Sequence, residues 1–310
     1  WELNDYVPYS ETHPKIRNFK HCSRGHVLKA EQDDDIDYTI LGLMLYEKHG
    51  REFTQRDICE NWIRNVPYGR LYSCTKQAYL HYCNLSSDRP VEEQIATFAT
   101  TENPMREGIN GTIRADFHAY VNPAAPREAA AHAYREGTIN CVKNGVYGMC
   151  WAAACISPAL SHTPVLETVF QAGLSVVPST SRLYEAIGRV RSWHEQGTGW
   201  EAVTEKIYAT YGHLNWAGVM YNIPICVMAL LEGQFDYART VSVATMAGVD
   251  TDCNAATVGS IVGAAIGAPA LPPRFVDPLN DRVFSSVAGF GEGTITNLVK
   301  RTLDLHKRLE

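Results

Sequence analysis

The sequence predicts an all-α fold, and three observations carry that expectation. Apolar residues recur at three- and four-residue steps along most of the chain. No stretch alternates polar and apolar residues between Asn-Gly or Asp-Gly turns. Short polar segments join the helical stretches, as they do where helices pack on helices.

The elements follow in order. Ile40, Leu41, Leu43, Met44 and Leu45 form a helix directly after an acidic run, and Gly50 supplies its stop. Pro126 opens a helix running from Arg127 to about Thr138, as a first-turn proline does. Met149 to Ile156 is small and apolar throughout, so it reads as a buried helix. Ser181 to Glu195 carries Leu183, Ile187, Val190 and Trp193 on one helical face. Gly199 to Tyr211 and Asn222 to Leu231 continue the pattern, and Asn297 to Leu309 closes the chain as an amphipathic helix. Asn110-Gly111 and Asn144-Gly145 lie between helical segments. The polar, irregular stretch from Asn84 to Asn110 is either a surface excursion or part of a site wall. There is no fixed repeat and no compositional boundary, so residues 1–310 read as one domain.

Composition narrows the function classes. The 310 residues are 45% hydrophobic and 20% charged, as in a soluble globular protein able to bury a core. A net charge of −6 without a long basic run argues against gripping nucleic acid through phosphates, though a nucleotide remains open as substrate. The longest apolar run, Ile261 to Leu271, is broken by Gly263, Gly267 and Pro269, short of the roughly 18–20 residues of a membrane span. A cytoplasmic protein without nucleic-acid or membrane partners, monomeric or weakly homo-oligomeric, is the expectation. The chain starts at Trp1 rather than Met, so a removed leader or a truncated start is expected. Nine scattered cysteines without a C-x-x-C pair, several in apolar stretches (Cys150, Cys155, Cys226), read as reduced, buried thiols.

Two acidic clusters carry the chemistry. In Glu31-Gln32-Asp33-Asp34-Asp35-Ile36-Asp37, four aspartates fall within five residues. A helix start tolerates negative charge, but one aspartate suffices as a cap. A hard cation such as Mg²⁺ binds carboxylate oxygens and would neutralise the rest. The second cluster is Gly248-Val249-Asp250-Thr251-Asp252-Cys253-Asn254, followed by Gly259, Gly263 and Gly267. Glycines four apart predict a smooth helix face that lets other backbone approach closely.

With these motifs the chain resembles the ADP-ribosylglycohydrolase family, an all-α, metal-dependent fold arranged as an orthogonal helical bundle. Asp33-Asp34-Asp35-Ile36 is similar to that family's early acidic run, and Gly248-Val249-Asp250-Thr251-Asp252-Cys253 to its late Gly-Gly-Asp-Thr-Asp-Thr. A bacterial branch matches further, at Asp33 to Thr39, Ile113 to Asp116, Val142 to Gly148, Asp250 to Asn254 and Pro278 to Asp281. The resemblance spans nearly the whole chain in the right order. It implies two Mg²⁺ or Mn²⁺ ions held by Asp34, Asp35, Asp250 and Asp252, with Asp33 a further ligand. It implies cleavage of a glycosidic bond to ribose in an ADP-ribosyl or smaller ribosyl substrate, with Asp34 or Asp35 taking the proton of the attacking water. The branch places Asn144, Gly145, Tyr147, Cys141 and Met149 along the substrate wall.

There are departures. Cys253 stands where the family has threonine, and sulfur is a poor partner for Mg²⁺. Asn140-Cys141 and Met149 stand where the branch often has Ser-His and Glu. These changes predict weak action on ADP-ribosyl protein and a smaller or more apolar substrate. The family's early catalytic Glu has no clear counterpart, Glu2 and Glu11 being near but outside a motif. Two other functions compete. Asp33-Asp34-x-x-Asp37 is similar to the aspartate-rich motif of class I terpene cyclases, which act on prenyl diphosphates. A metal-bearing protein without turnover is the other. His118, His132 and His213 read as structural or exposed. Arg114 with Asp116 reads as a buried pair, and Trp216, Tyr221 and Asn222 as pocket-lining or core residues.

Overall fold

The computed structural model describes residues 3–14 and 16–310. Helix covers 64% of the chain. Among the described residues the helices are α1 Asp34–His49, α2 Gln55–Asn65, α3 Ser73–Cys83, α4 Val91–Ile95, α5 Asp116–Tyr120, α6 Pro126–Gly137, α7 Asn144–Ala159 and α8 Leu166–Ser175. They continue with α9 Arg182–Glu195, α10 Trp200–Tyr211, α11 Val219–Gly233, α12 Tyr237–Met246, α13 Thr251–Ile266, α14 Pro273–Val276 and α15 Ile295–Leu309. None is long and apolar enough to cross a membrane.

Helix α7 is buried on every side, from Asn144 to Ala159, with only Tyr147 reaching partway out. It packs against α5, α6, α8, α9, α11 and α13, so it is the axis of the bundle. The second all-apolar helix, α11, is nearly as enclosed. The two approach closely because Gly148 has no side chain: a Cβ there would lie 2.5 Å from Cγ2 of Val219. Both helices begin earlier than their apolar runs suggest. Asn144-Gly145 lies in the first turn of α7, and Asn110-Gly111 in the buried 3-10 turn Ile109–Arg114.

Two expectations are corrected. The glycine stripe of α13 does not form a close seam. A Cβ on Gly259 would make ordinary contacts with Tyr237 and Val241, Gly263 faces open space, and Gly267 ends the helix at φ +73°. Arg114 does not pair with Asp116. Its Nε donates to Glu136 Oε1 at 2.8 Å, and its Nη atoms donate to Thr75 Oγ1, the Asn110 carbonyl and Asn140 Oδ1. Glu136 Oε2 meets His118 Nε2 at 2.9 Å, and the Tyr46 hydroxyl lies between Nδ1 of His118 and Nδ1 of His132, at 2.8 and 2.9 Å. This buried network ties α1, α3, α5 and α6 to the 3-10 turn. His118 and His132 are structural as expected, and His213 is exposed.

The only strands among the described residues are β1 Arg282–Ser285 and β2 Gly291–Thr294, an antiparallel pair with Val283 opposite Gly293. Four-residue strands, one reading Gly-Glu-Gly-Thr, carry no alternation to detect. Helix α15 docks on α1 through a two-pronged Arg301–Glu47 ion pair, at 2.9 and 2.6 Å, and through Arg51 Nη1 donating to the Leu309 carbonyl.

Burial, with His118, Arg135 and Arg51 adding to it, pushes His132 down to about 4. Folded His132 therefore stays neutral where the unfolded imidazole, near 6.5, takes a proton. Its contribution to stability is full above about pH 6.5 and is lost as pH falls towards 4. His132→Gln should flatten the decline of Tm between pH 7 and pH 4.5. A variant with the wild-type decline would remove His132 from the acid sensitivity.

Candidate functional site

The two acidic clusters are far apart in sequence, and each begins a helix. Asp33 is the N-cap of α1, its Oδ1 accepting the Asp35 N–H at 2.9 Å. That leaves Asp34 and Asp35 in the first turn with no capping duty. Asp250 caps α13 by position, without a side-chain capping bond, and Asp252 lies in that helix's first turn. Within each group, Asp33–Asp34–Asp35 and Asp250–Asp252–Cys253, the donor atoms lie within 4.8 Å of one another.

The fold brings the groups face to face. The Cys253 thiol donates to Asp35 Oδ2 at 3.7 Å across the gap. Burial first, then Asp33, and then Asp252 from the opposite helix push Asp34 up to about 7. Burial and the charges of Asp33, Asp34 and Asp252 hold Asp35 well above the carboxylate range. Burial and its neighbour Asp252 push Asp250 up to about 7. Asp35 Oδ1 is buried and has no hydrogen-bond partner. A buried carboxylate oxygen without a donor, inside a ring of hard oxygens, fits a divalent cation such as Mg²⁺.

The α13 start is held by Asn222 of α11. Asn222 Oδ1 accepts the Asp250 N–H at 3.1 Å and Asn254 Nδ2 at 2.9 Å, while its Nδ2 donates to the carbonyls of Trp216 and Gly218. Asn222 thus positions the acidic pair, while Trp216 is 61% exposed. Before Asp250 the backbone is strained: Val249 holds φ +65°, a costly angle for a β-branched residue. The family's glycine at this position would adopt it freely.

Asp37 does not belong to the site. It is 2% exposed, and its oxygens are taken up by Ser285 Oγ at 2.6 Å, the Ser286 N–H at 3.0 Å, Gln32 Nε2 at 2.9 Å and Ser286 Oγ. The Asp33-Asp34-x-x-Asp37 motif therefore lacks a free third carboxylate.

The substrate-wall residues are also placed differently. Cys141 is 1% exposed and Met149 is 0% exposed, so neither presents surface to a ligand. Met149 packs beneath Gly111 and Gly137. Asn144 is buried too, its Nδ2 donating to Glu107 Oε2 at 2.7 Å and its Oδ1 accepting the Leu183 N–H at 3.2 Å. Gly145 leaves no room for a side chain, since a Cβ would lie 2.8 Å from the Arg106 carbonyl oxygen. These residues pin the 104–108 loop, which with Arg182, Leu214 and Met220 lines a cavity of about 190 Å³. Tyr147 is half-buried against the core. Glu11 is exposed, and Glu2 lies outside the described residues.

At pH 8 the packed carboxylates cost stability, because their raised pKa values favour the protonated form. Asp34→Asn should therefore melt a few degrees above wild type in chelator at pH 8, the scale of about 1 kcal/mol. The difference should shrink as pH falls below 7 and vanish near pH 4, where Asp34 is protonated in the folded and unfolded chain alike. A lower Tm for the variant at pH 8 would contradict this electrostatic account.

Comparison with known proteins agrees with the geometry. One solved structure, titled "ADP-ribosylglycohydrolase-related protein complex", superposes with a TM-score of 0.64 at 17% identity, covering 100% of this chain and 93% of that one. At that identity the likeness establishes the fold. No curated protein sequence matches the chain. The family model described as ADP-ribosylglycohydrolase matches residues 3–309, and the chain belongs to that family.

Proposed function

We propose that this protein is a divalent-metal-dependent hydrolase that cleaves the glycosidic bond to ribose in an ADP-ribosyl or smaller ribosyl substrate. One observation carries the reading: two carboxylate-bearing helix starts face each other around a buried Asp35 oxygen that has no donor. Family membership supports glycoside hydrolysis. Asp33, Asp34, Asp35, Asp250 and Asp252 are the proposed ligands, with Mg²⁺ or Mn²⁺ as the ion.

When bound, a pair of such cations supplies a hold on ribose hydroxyls and a more acidic water. The chain's own residues do the rest. Asp35 keeps one buried oxygen free of any donor. Asp34 is the side chain proposed to take the proton of the attacking water as the bond from the anomeric carbon to the leaving group breaks. Asn222 fixes the α13 start, so Asp250 and Asp252 keep their place. The Cys253 thiol donates to Asp35 and so orients that carboxylate rather than ligating in its stead.

The burial of Cys141 and Met149 removes the ground for a smaller, apolar substrate. Asn144 and Gly145 hold the 104–108 loop, and the ribosyl reading rests on family membership. It is tested with the purified protein, Mg²⁺ or Mn²⁺, and ADP-ribosyl-arginine, ADP-ribosyl-serine and simple ribosides. Metal-dependent release of ribose or ADP-ribose is expected, with Asp252→Ala at least about 100-fold slower. Because ligation needs deprotonated carboxylates, the Mg²⁺-induced rise in Tm should be larger at pH 8 than at pH 6 and absent in Asp252→Ala. An Asp252→Ala protein with the wild-type Mg²⁺ response would discard the metal assignment. Metal binding without turnover of any ribosyl substrate would leave a binding protein and discard the enzyme.

A further inference from the structure

Away from the acidic site, two cysteines meet in a small apolar cluster separate from the main core. Cys74, in the first turn of α3, and Cys141, in the joint between α6 and α7, bring their sulfurs to 3.7 Å. They are 67 residues apart in the chain and are 0% and 1% exposed. The pair is more than two apolar thiols in contact. Asn140 Nδ2 donates to Cys74 Sγ at 3.4 Å. The Arg114 guanidinium stands nearby, linked to Asn140 Oδ1 and to Thr75 beside Cys74. The Cys74 thiol first, then the Arg114 charge and the Gly111 N–H, hold Cys141 below the ordinary thiol range, while Cys74 is held well above it. A thiol that gives up its proton more readily, in contact with one that keeps it, is the arrangement in which one sulfur attacks and the other resolves.

We propose that Cys74 and Cys141 are a modification site, a buried dithiol that a small hydroperoxide converts to a disulfide linking α3 to the α6–α7 joint. The chemistry balances with the hydroperoxide as oxidant. The Cys141 thiolate attacks one peroxide oxygen, an S–O bond forms, the O–O bond breaks, and the leaving hydroxide takes a proton. Cys74 sulfur then attacks Cys141 sulfur, the S–S bond forms, the S–O bond breaks, and the Cys74 proton leaves with the oxygen as water. Two sulfurs each give up one electron, and hydrogen peroxide becomes two waters. The sulfurs must close from 3.7 Å to about 2.05 Å, a movement that the joint can absorb because Cys141 lies outside any helix. Burial selects the oxidant by size, since cysteines 0% and 1% exposed offer no surface to a bulky disulfide.

The test uses the full chain, reduced, desalted and treated with a few equivalents of hydrogen peroxide at pH 7. Under native conditions the expected product has lost about 2 Da. Its non-reducing peptide map joins the Cys74 and Cys141 peptides, its titratable thiols fall from nine by two, and its near-UV circular dichroism is unchanged. Dithiothreitol restores the starting mass, and glutathione disulfide gives no such product. In Cys74→Ser, Cys141 has no resolving partner and gains about 16 or 32 Da instead. The wild-type map decides the matter even if that variant does not fold. Oxidation of the exposed Cys22 and Cys83 with Cys74 and Cys141 still reduced would overturn the proposal. A Cys74–Cys141 link that appears only together with loss of the near-UV signal would overturn it as well, since it would report unfolding.

Discussion

The architecture around the candidate site answers to the mutual repulsion of carboxylates gathered at two helix starts. Two charges about 5 Å apart at an effective dielectric of about 20 repel by roughly 3 kcal/mol. The helix dipole returns only about 0.3–1 kcal/mol per charge. Dipoles alone therefore do not hold five aspartates together. The remainder comes from protonation, from a bound cation, or from a scaffold that does not yield. The scaffold is visible in α7 and α11, two helices enclosed on nearly every side, with Gly148 letting them touch. Asn222 carries that rigidity outward, since one buried carboxamide holds both the loop before α11 and the start of α13.

The buried polar network plays a different part from the site. Arg114, Glu136, His118, Tyr46 and His132 connect elements from α1 to α6 without reaching the aspartates by any hydrogen bond described here. Buried ion pairs of this kind rarely add much stability over an apolar core of equal volume, yet losing one partner is costly. Their value here is geometric. Arg114 bonds both Thr75 and Asn140, so the start of α3 and the α6–α7 joint are kept side by side.

Much of this was legible in the sequence, and the misses have common causes. Helical periodicity located α9, α10 and α15, which have one apolar and one polar face, while the apolar run after the acidic cluster marked α1 and a first-turn proline marked α6. It placed the start of α7 late, because polar Asn144 is buried as a hydrogen-bonding anchor, which periodicity reads as a joint, and it began α11 at Asn222, three residues after Val219. The acidic clusters were found because carboxylates at that density have few structural uses. Their meeting in space was not a matter of pattern: it depends on how α1 and α13 cross, and the family resemblance supplied it. Cys141 and Met149 were read as substrate wall from their motif neighbours, yet a residue next to a site in sequence can point into the core. Arg114 and Asp116 are two apart in a tight turn, and Arg114 found a better acceptor, Glu136, on another helix.

Asp37 gives the C-terminal hairpin an unexpected office. Ser285 and Ser286, more than two hundred residues downstream, hold both oxygens of the fourth aspartate in the acidic run. The hairpin thus acts as a sorter, deciding which carboxylates of a crowded run are left for a ligand and which are retired. Without those contacts Asp37 would stand as one more unpaired carboxylate in a run already crowded with acid. The surroundings of the acidic run are in this sense completed by the last tenth of the polypeptide as well as by the segment that carries the acids.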